Sequence, residues 1–161
     1  MLRVVHTGEG AKQAAMTDRS ESDELEAALA LEANPGFQQA VGYRLTEWSD
    51  GRAVVEMEVS PAHLNRGGIV HGGVYATLLD AALGYCGVFT GSARTVRRAL
   101  TLSLTVNFTG QIRAGLIRTV ALRRSAGQRI FVATGECLAE DGTVLAIGQA
   151  TFRHRSSQGE S

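Results

Sequence analysis

The sequence predicts an α+β domain in which one long helix is wrapped by a strongly curved antiparallel sheet. Three observations carry that expectation. The stretch from Val74 to about Phe89 has no proline and no charge except Asp80, and it is long enough for roughly four helical turns. Segments of period two precede and follow it. Glycine-bearing tight turns join several of them. A helix that is apolar nearly all round has to be covered on most sides, and a single curved sheet does that.

Residues 1–20 are polar and without pattern, so a disordered leader is expected there, with Met16 a candidate true start. Ser22, followed by Asp23 and Glu24 and then by Leu25, Ala28 and Leu29 at helical spacing, signals a helix start. Asn34-Pro35-Gly36 stops that helix, and Phe37 to Val41 allows another helical turn. From Tyr43 the period becomes two. Arg44 to Trp48 and Ala53 to Val59 read as strands joined at Ser49-Asp50-Gly51, with Val54, Glu56 and Glu58 on a partly wet face. After the central helix, strands are expected at Leu100–Phe108, Leu116–Leu122, Ile130–Ala139 and Val144–Phe152, the last two joined by Glu140-Asp141-Gly142-Thr143. Residues 156–161 form a polar tail, which leaves one domain over 21–155.

Composition narrows the function. The 161 residues are 44% hydrophobic and 20% charged, the balance of a globular chain able to bury a core without staples. Sixteen basic residues offset sixteen acidic ones, which argues against nucleic acid as a partner. Lys12 is the sole lysine, a bias that codon usage explains. No apolar run approaches the roughly 18–20 residues of a membrane span, and the N-terminus lacks a signal-peptide core. A cytoplasmic protein with reduced Cys86 and Cys137 is therefore expected. His6, His63, His71 and His154 show no metal-ligand spacing, so no metal or cofactor is expected.

Asp80 is the sharpest chemical signal. Its helical neighbours are Ala76, Thr77, Leu83 and Gly84, none of them a cation, so local pairing does not explain it. A buried unpaired carboxylate costs several kcal/mol and persists only with a partner or a use. A solvated stripe on the helix or a backbone hydrogen bond would also account for it. Small residues at 76 and 84 leave room for a ligand beside the carboxylate. His71-Gly72-Gly73 opens the helix, where exposed N–H groups favour developing negative charge. His71 reads equally as a histidine bonded to backbone at the core edge, and Asn65, before Arg66-Gly67-Gly68, as a turn former.

Taken together, His63-x-Asn65-x-x-Gly68-x-x-His71-Gly72-Gly73 followed by Leu78 and Asp80 resembles the signature of the hotdog-fold acyl-CoA thioesterases, in particular the PaaI-like branch of phenylacetic acid degradation. Asn34-Pro35-x-Phe37, Gly42 and the Asp141-Gly142 hairpin are also similar, so the resemblance runs from about Asn34 to Phe152. It implies a helix wrapped by an antiparallel sheet, and homodimers that pair their sheets side by side and pair again into a homotetramer. It also implies an active site at the dimer interface. Asp80 would be nucleophile or general base, Gly72 or Gly73 the backbone donor to the thioester carbonyl, and Asn65 the group orienting water or carbonyl. His71 would shape the loop, and Thr101 falls where relatives often carry a Ser or Thr near the reaction centre. Asp80 and the helix N-terminus lie eight residues apart, roughly 12 Å, so a shared site requires two protomers.

Coenzyme A carries phosphates, so the arginines of the cleft mouth matter: Arg94, Arg97 and Arg98, and Arg123-Arg124 before Ser125-Ala126-Gly127. Each also reads as a solvated loop charge. The substrate expected is a small-to-medium aliphatic or aryl acyl-CoA, and Tyr75, Val88 and Phe89 are candidates for its pocket. Two other functions compete, an acyl-CoA hydratase or dehydratase using His71 and Asp80, and a non-catalytic acyl-CoA-binding protein.

Overall fold

A computed structural model describes residues 26–27, 29, 36–91 and 97–155. The expected leader, the Asn34-Pro35 stop, Arg94 and the tail lie outside them. Among the described residues a short helix α1 (Phe37–Val41) leads into β1 (Tyr43–Ser49) and β2 (Arg52–Glu58). A 3-10 turn at Pro61–His63 and a loop then reach the long helix α2 (Gly72–Tyr85). Four strands follow: β3 (Ala99–Phe108), β4 (Leu116–Ala126), β5 (Ile130–Leu138) and β6 (Val144–His154).

All six strands form one antiparallel sheet in the order β1-β2-β4-β5-β6-β3. It curls around α2, which touches every strand. Tyr75, Leu78, Leu79, Ala82 and Leu83 of the helix are buried against Met57, Ile117, Phe131 and Leu145 of the sheet. A cross-strand glycine pair, Gly135 opposite Gly148, seats the helix. A Cβ on Gly148 would lie 3.0 Å from Leu79 Cδ1, and one on Gly135 would lie 3.2 Å from Leu83 Cδ2 and 2.7 Å from the Val120 carbonyl oxygen. Side chains there would lift the helix off the sheet.

Three expectations are corrected. The helix ends at Tyr85, not near Phe89. Gly87 and Val88 instead donate to Gly84 and Tyr85 at 3.3 and 3.1 Å, tightening the last turn. A Cβ on Gly87 would stand 2.1 Å from the Phe131 ring, so the chain passes that ring only as glycine. Second, β4 runs on to Ala126, so Arg123 and Arg124 lie in a strand at a bulge rather than in a loop. Third, Val54 is fully buried on the face read as wet. Ion pairs join Arg52 and Arg118 to Glu47, and Arg44 and Arg118 to Glu56, on that same face of β1, β2 and β4.

Candidate active site

The residues singled out in the sequence divide between two cavities along α2, one at its N-terminus and one at its middle and C-terminal half. The loop into α2 builds the first. Asn65 Oδ1 accepts from the Gly67 N–H at 2.8 Å, and the Asn65 carbonyl accepts from Gly68 at 2.9 Å. Gly68 takes φ +67°, a left-handed conformation that suits glycine. Arg113 Nη1 donates to the carbonyls of Gly67 and Gly68, both at 3.1 Å, and pins the turn from outside. His71 N–H donates to the His63 carbonyl at 2.9 Å and closes the loop.

His63 and His71 both act on the backbone. His63 Nδ1 accepts from Ser60 N–H, and its Nε2 donates to the Val41 carbonyl, each at 2.9 Å. This pair of bonds orients the ring and ties α1 to the loop. His71 caps α2, its Nδ1 accepting from Gly73 N–H at 2.9 Å. The His71 carbonyl takes the Val74 N–H. The Gly73 donor is thus engaged, while the Gly72 N–H has no partner among the described residues, and Gly72 lines a cavity of about 570 Å³ with Asn65, Ile69, Tyr75 and Phe108.

Asp80 faces the second cavity, about 300 Å³. Its Oδ1 accepts from Thr101 Oγ1 at 2.9 Å, and among the described residues no cation pairs with it. The floor is Ala81, Gly84, Val88 and Phe152. Arg97, Arg98 and Arg155 stand at the rim, with Arg98 and Arg155 tied through a 2.8 Å backbone bond. Tyr43 enters from β1. Sequence reasoning missed it because β1 and β3 are opposite edges of the sheet, and only the curl around α2 brings Tyr43 and Thr101 to one cavity. Burial first, and the Asp80 charge second, push the Tyr43 phenol above its ordinary range. It stays a neutral donor at physiological pH.

Other expected groups lie elsewhere. Arg124 lines neither cavity, and its Nε donates to Thr134 Oγ1 at 2.6 Å. Phe89 packs edge-on against Trp48, away from both. Burial pushes Cys86 and Cys137 up to about 12, so neither is a thiolate nucleophile at neutral pH.

A six-stranded antiparallel sheet curled around one long helix is the hotdog architecture. The thioesterase superfamily model matches residues 67–146, just under half of the chain, which is similar to that family over this stretch. The relative PA0474 of Pseudomonas aeruginosa, which carries an esterase name, is 37% identical over 62 residues, 38% of this chain and 45% of that protein. The match thus spans less than half of that relative's length. Among solved structures, the conserved protein PA5202 of P. aeruginosa is 29% identical with a TM-score of 0.70, over 76% of this chain and 95% of that one. A mutant form of the phenylacetic acid degradation protein PaaI of Thermus thermophilus is 26% identical with a TM-score of 0.63, over 73% and 96%. PaaI of E. coli, 24% identical with a TM-score of 0.70 over 81% and 92%, shares the fold.

Proposed function

We propose that the protein hydrolyses small-to-medium aliphatic or aryl acyl-CoA thioesters in a site shared by two copies of the chain. One observation carries this reading: the Asp80–Thr101 pair and Gly72, with its unclaimed N–H, line different cavities of one helix. No single protomer brings them to one carbonyl, since eight residues of helix span roughly 12 Å. The ten-residue edge strand β3 supplies the means of pairing, with Leu100 and Leu102 each half exposed. Two β3 edges side by side set Asp80 of one copy against the loop of the other.

In this site Thr101 holds Oδ1 and leaves Oδ2 to act. As a base, Oδ2 takes a proton from water, the hydroxide adds to the carbonyl carbon, the C–S bond breaks and the proton passes to the departing thiolate. As a nucleophile, it forms a mixed anhydride as the thiolate leaves, and water then cleaves it. The Gly72 N–H donates to the carbonyl oxygen as negative charge develops there. Asn65, its Oδ1 already used in the turn, offers its amide N–H groups, and His71 holds the helix start in shape. Arg97 and Arg98 suit the coenzyme phosphates. No metal or cofactor takes part, and a cytoplasmic place fits the substrate. No helix among the described residues is long and apolar enough to cross a membrane.

In the hydratase reading His71 would have to act through Nε2 alone, because the capping bond occupies its Nδ1. The test is thiol release from aliphatic and aryl acyl-CoAs by wild type and Asp80→Asn. Wild type is expected to release coenzyme A and the variant to lose roughly 10²–10⁴-fold in rate, the range for a positioned base, with the dimer intact. Undiminished activity in Asp80→Asn overturns the assignment. A change in enoyl absorbance without thiol supports the hydratase, and binding without turnover supports the non-catalytic protein.

A further inference from the structure

The Asp80 cavity contains a polar group for which thioester hydrolysis itself has no need. Tyr43 is half-buried against the core at the start of β1, paired in register with Met57. Its approach is fixed from behind. Gly42 turns the chain at φ +80° while its N–H caps α1 at the Gln38 carbonyl, and His63 holds the neighbouring Val41 carbonyl at 2.9 Å. The ring is therefore preorganised beside Asp80, and no hydrogen bond joins the two side chains. Thr101 already holds Asp80 Oδ1, so the space between phenol and carboxylate belongs to the cavity.

We propose that Tyr43 is a specificity-determining residue: its hydroxyl selects thioesters whose acyl group carries a neutral oxygen, a hydroxyl or keto group, over the matching hydrocarbon. This rests on the thioesterase reading above. The acyl group lies over the floor of Ala81, Gly84, Val88 and Phe152, and its oxygen accepts from Tyr43 Oη. The Asp80 carboxylate nearby disfavours an acyl group that is itself anionic at that point, which leaves the neutral oxygens. A half-buried donor discriminates about tenfold between an acceptor-bearing ligand and its hydrocarbon twin, less than a fully buried one.

The experiment compares kcat/KM of wild type and Tyr43→Phe on pairs of acyl-CoAs that differ by one hydroxyl or keto oxygen. The expected result is a drop of about tenfold in the oxygenated-to-plain ratio, with the melting temperature of Tyr43→Phe within a degree or two of wild type. An equal fall on both members of each pair would make Tyr43 a general positioning group and overturn the proposal, as would an unchanged ratio. Gly84→Ala locates the acyl group independently. Its new Cβ meets only the Phe152 ring, at 3.4 Å, so the variant folds while the floor fills. KM should rise several-fold for the bulkiest acyl groups, and a KM indifferent to acyl size places the acyl group elsewhere and overturns the proposal. If wild type cleaves no thioester, the hydrolase reading fails by itself. The proposal is then judged on binding of the matched pairs as non-hydrolysable thioethers, by calorimetry with wild type and Tyr43→Phe. Equal affinities within each pair, or no binding at all, refute it.

Discussion

The two cavities of α2 are built from different materials. On the Gly72 side the polar groups come from one short stretch, a glycine turn, a histidine cap and one main-chain N–H left over within residues 65–74, while Tyr75 and the segment from Phe108 to Gln111 close the cavity. The Asp80 side is made of side chains from distant parts of the chain: Tyr43 from β1, Asp80 from the helix, Thr101 from β3 and Arg155 after β6. A backbone donor is rigid and indifferent to which acyl group arrives. A side-chain cavity is where one substrate can be told from another. The division assigns carbonyl polarisation to the first half and chemistry with selectivity to the second.

The sharpest way to break this comparison is to disable each half in a different copy. Gly72→Pro removes the N–H while suiting the first helical position, and His71 already has the extended φ −67°, ψ 138° that precedes proline well. The exposed Phe108 ring, 3.1 Å from a Cβ at Gly72, swings aside. Loss of one such donor costs roughly 10²–10³ in kcat. Asp80→Asn by itself is expected to lose roughly 10²–10⁴-fold. Unfolding both variants together and refolding them should restore about a quarter of wild-type activity, because half the dimers are mixed and each holds one site with both native halves. No recovery, in a preparation shown to contain mixed dimers, places both groups in one protomer's site.

A smaller effect is expected at Thr101→Val, which keeps the shape of the side chain and removes the bond to Asp80 Oδ1. A hydrogen bond to a carboxylate contributes about 1.5–3 kcal/mol, so kcat should fall about tenfold to a hundredfold with KM little changed. A change in KM alone would make Thr101 a substrate contact instead. Thr101 also shows how far the sequence can be read. Local signals place the helix, the strand segments and the helix start, because each depends on near neighbours: His71 before Gly72-Gly73, Asp141-Gly142 in its hairpin, Asp80 in an uncharged helix; the order of the strands in the sheet, with β3 beside β6, carries no such signal. The Asp80 partners are harder. Thr101 enters only through a family resemblance, and Tyr43 and Arg155 carry no local signal, because closure of the sheet around α2 decides their position. Where α2 ends is equally hidden, since the Phe131 ring that abuts Gly87 comes from a strand more than forty residues later.

The smallest effect concerns the arginines, whose surroundings differ in the same way between regions. Arg44, Arg52 and Arg118 pair with Glu47 and Glu56 across β1, β2 and β4, and Arg123 pairs with Asp50. Arg97, Arg98 and Arg155, at the rim of the Asp80 cavity, have no carboxylate partner among the described residues. The paired set should govern acid stability, and the unpaired set should govern substrate. The Arg52 hydrogen bond, assisted by Arg118, holds the Glu47 carboxyl below its ordinary value near 4.5. A carboxylate depressed in the folded state adds stability that is present above the unfolded value and is lost as pH falls through the folded one. Glu47 is 43% exposed, so solvent screens the pairing and the contribution stays under about 1 kcal/mol. Glu47→Gln should therefore lower the melting temperature slightly at pH 7 and converge on wild type on acidification below the ordinary carboxylate range, with KM for acyl-CoA unchanged. Arg97→Gln with Arg98→Gln should do the reverse, raising KM several-fold in low salt while leaving the acid transition where it was. Identical acid profiles for wild type and Glu47→Gln would show that the ion pairs over Val54 are held by packing, not by charge.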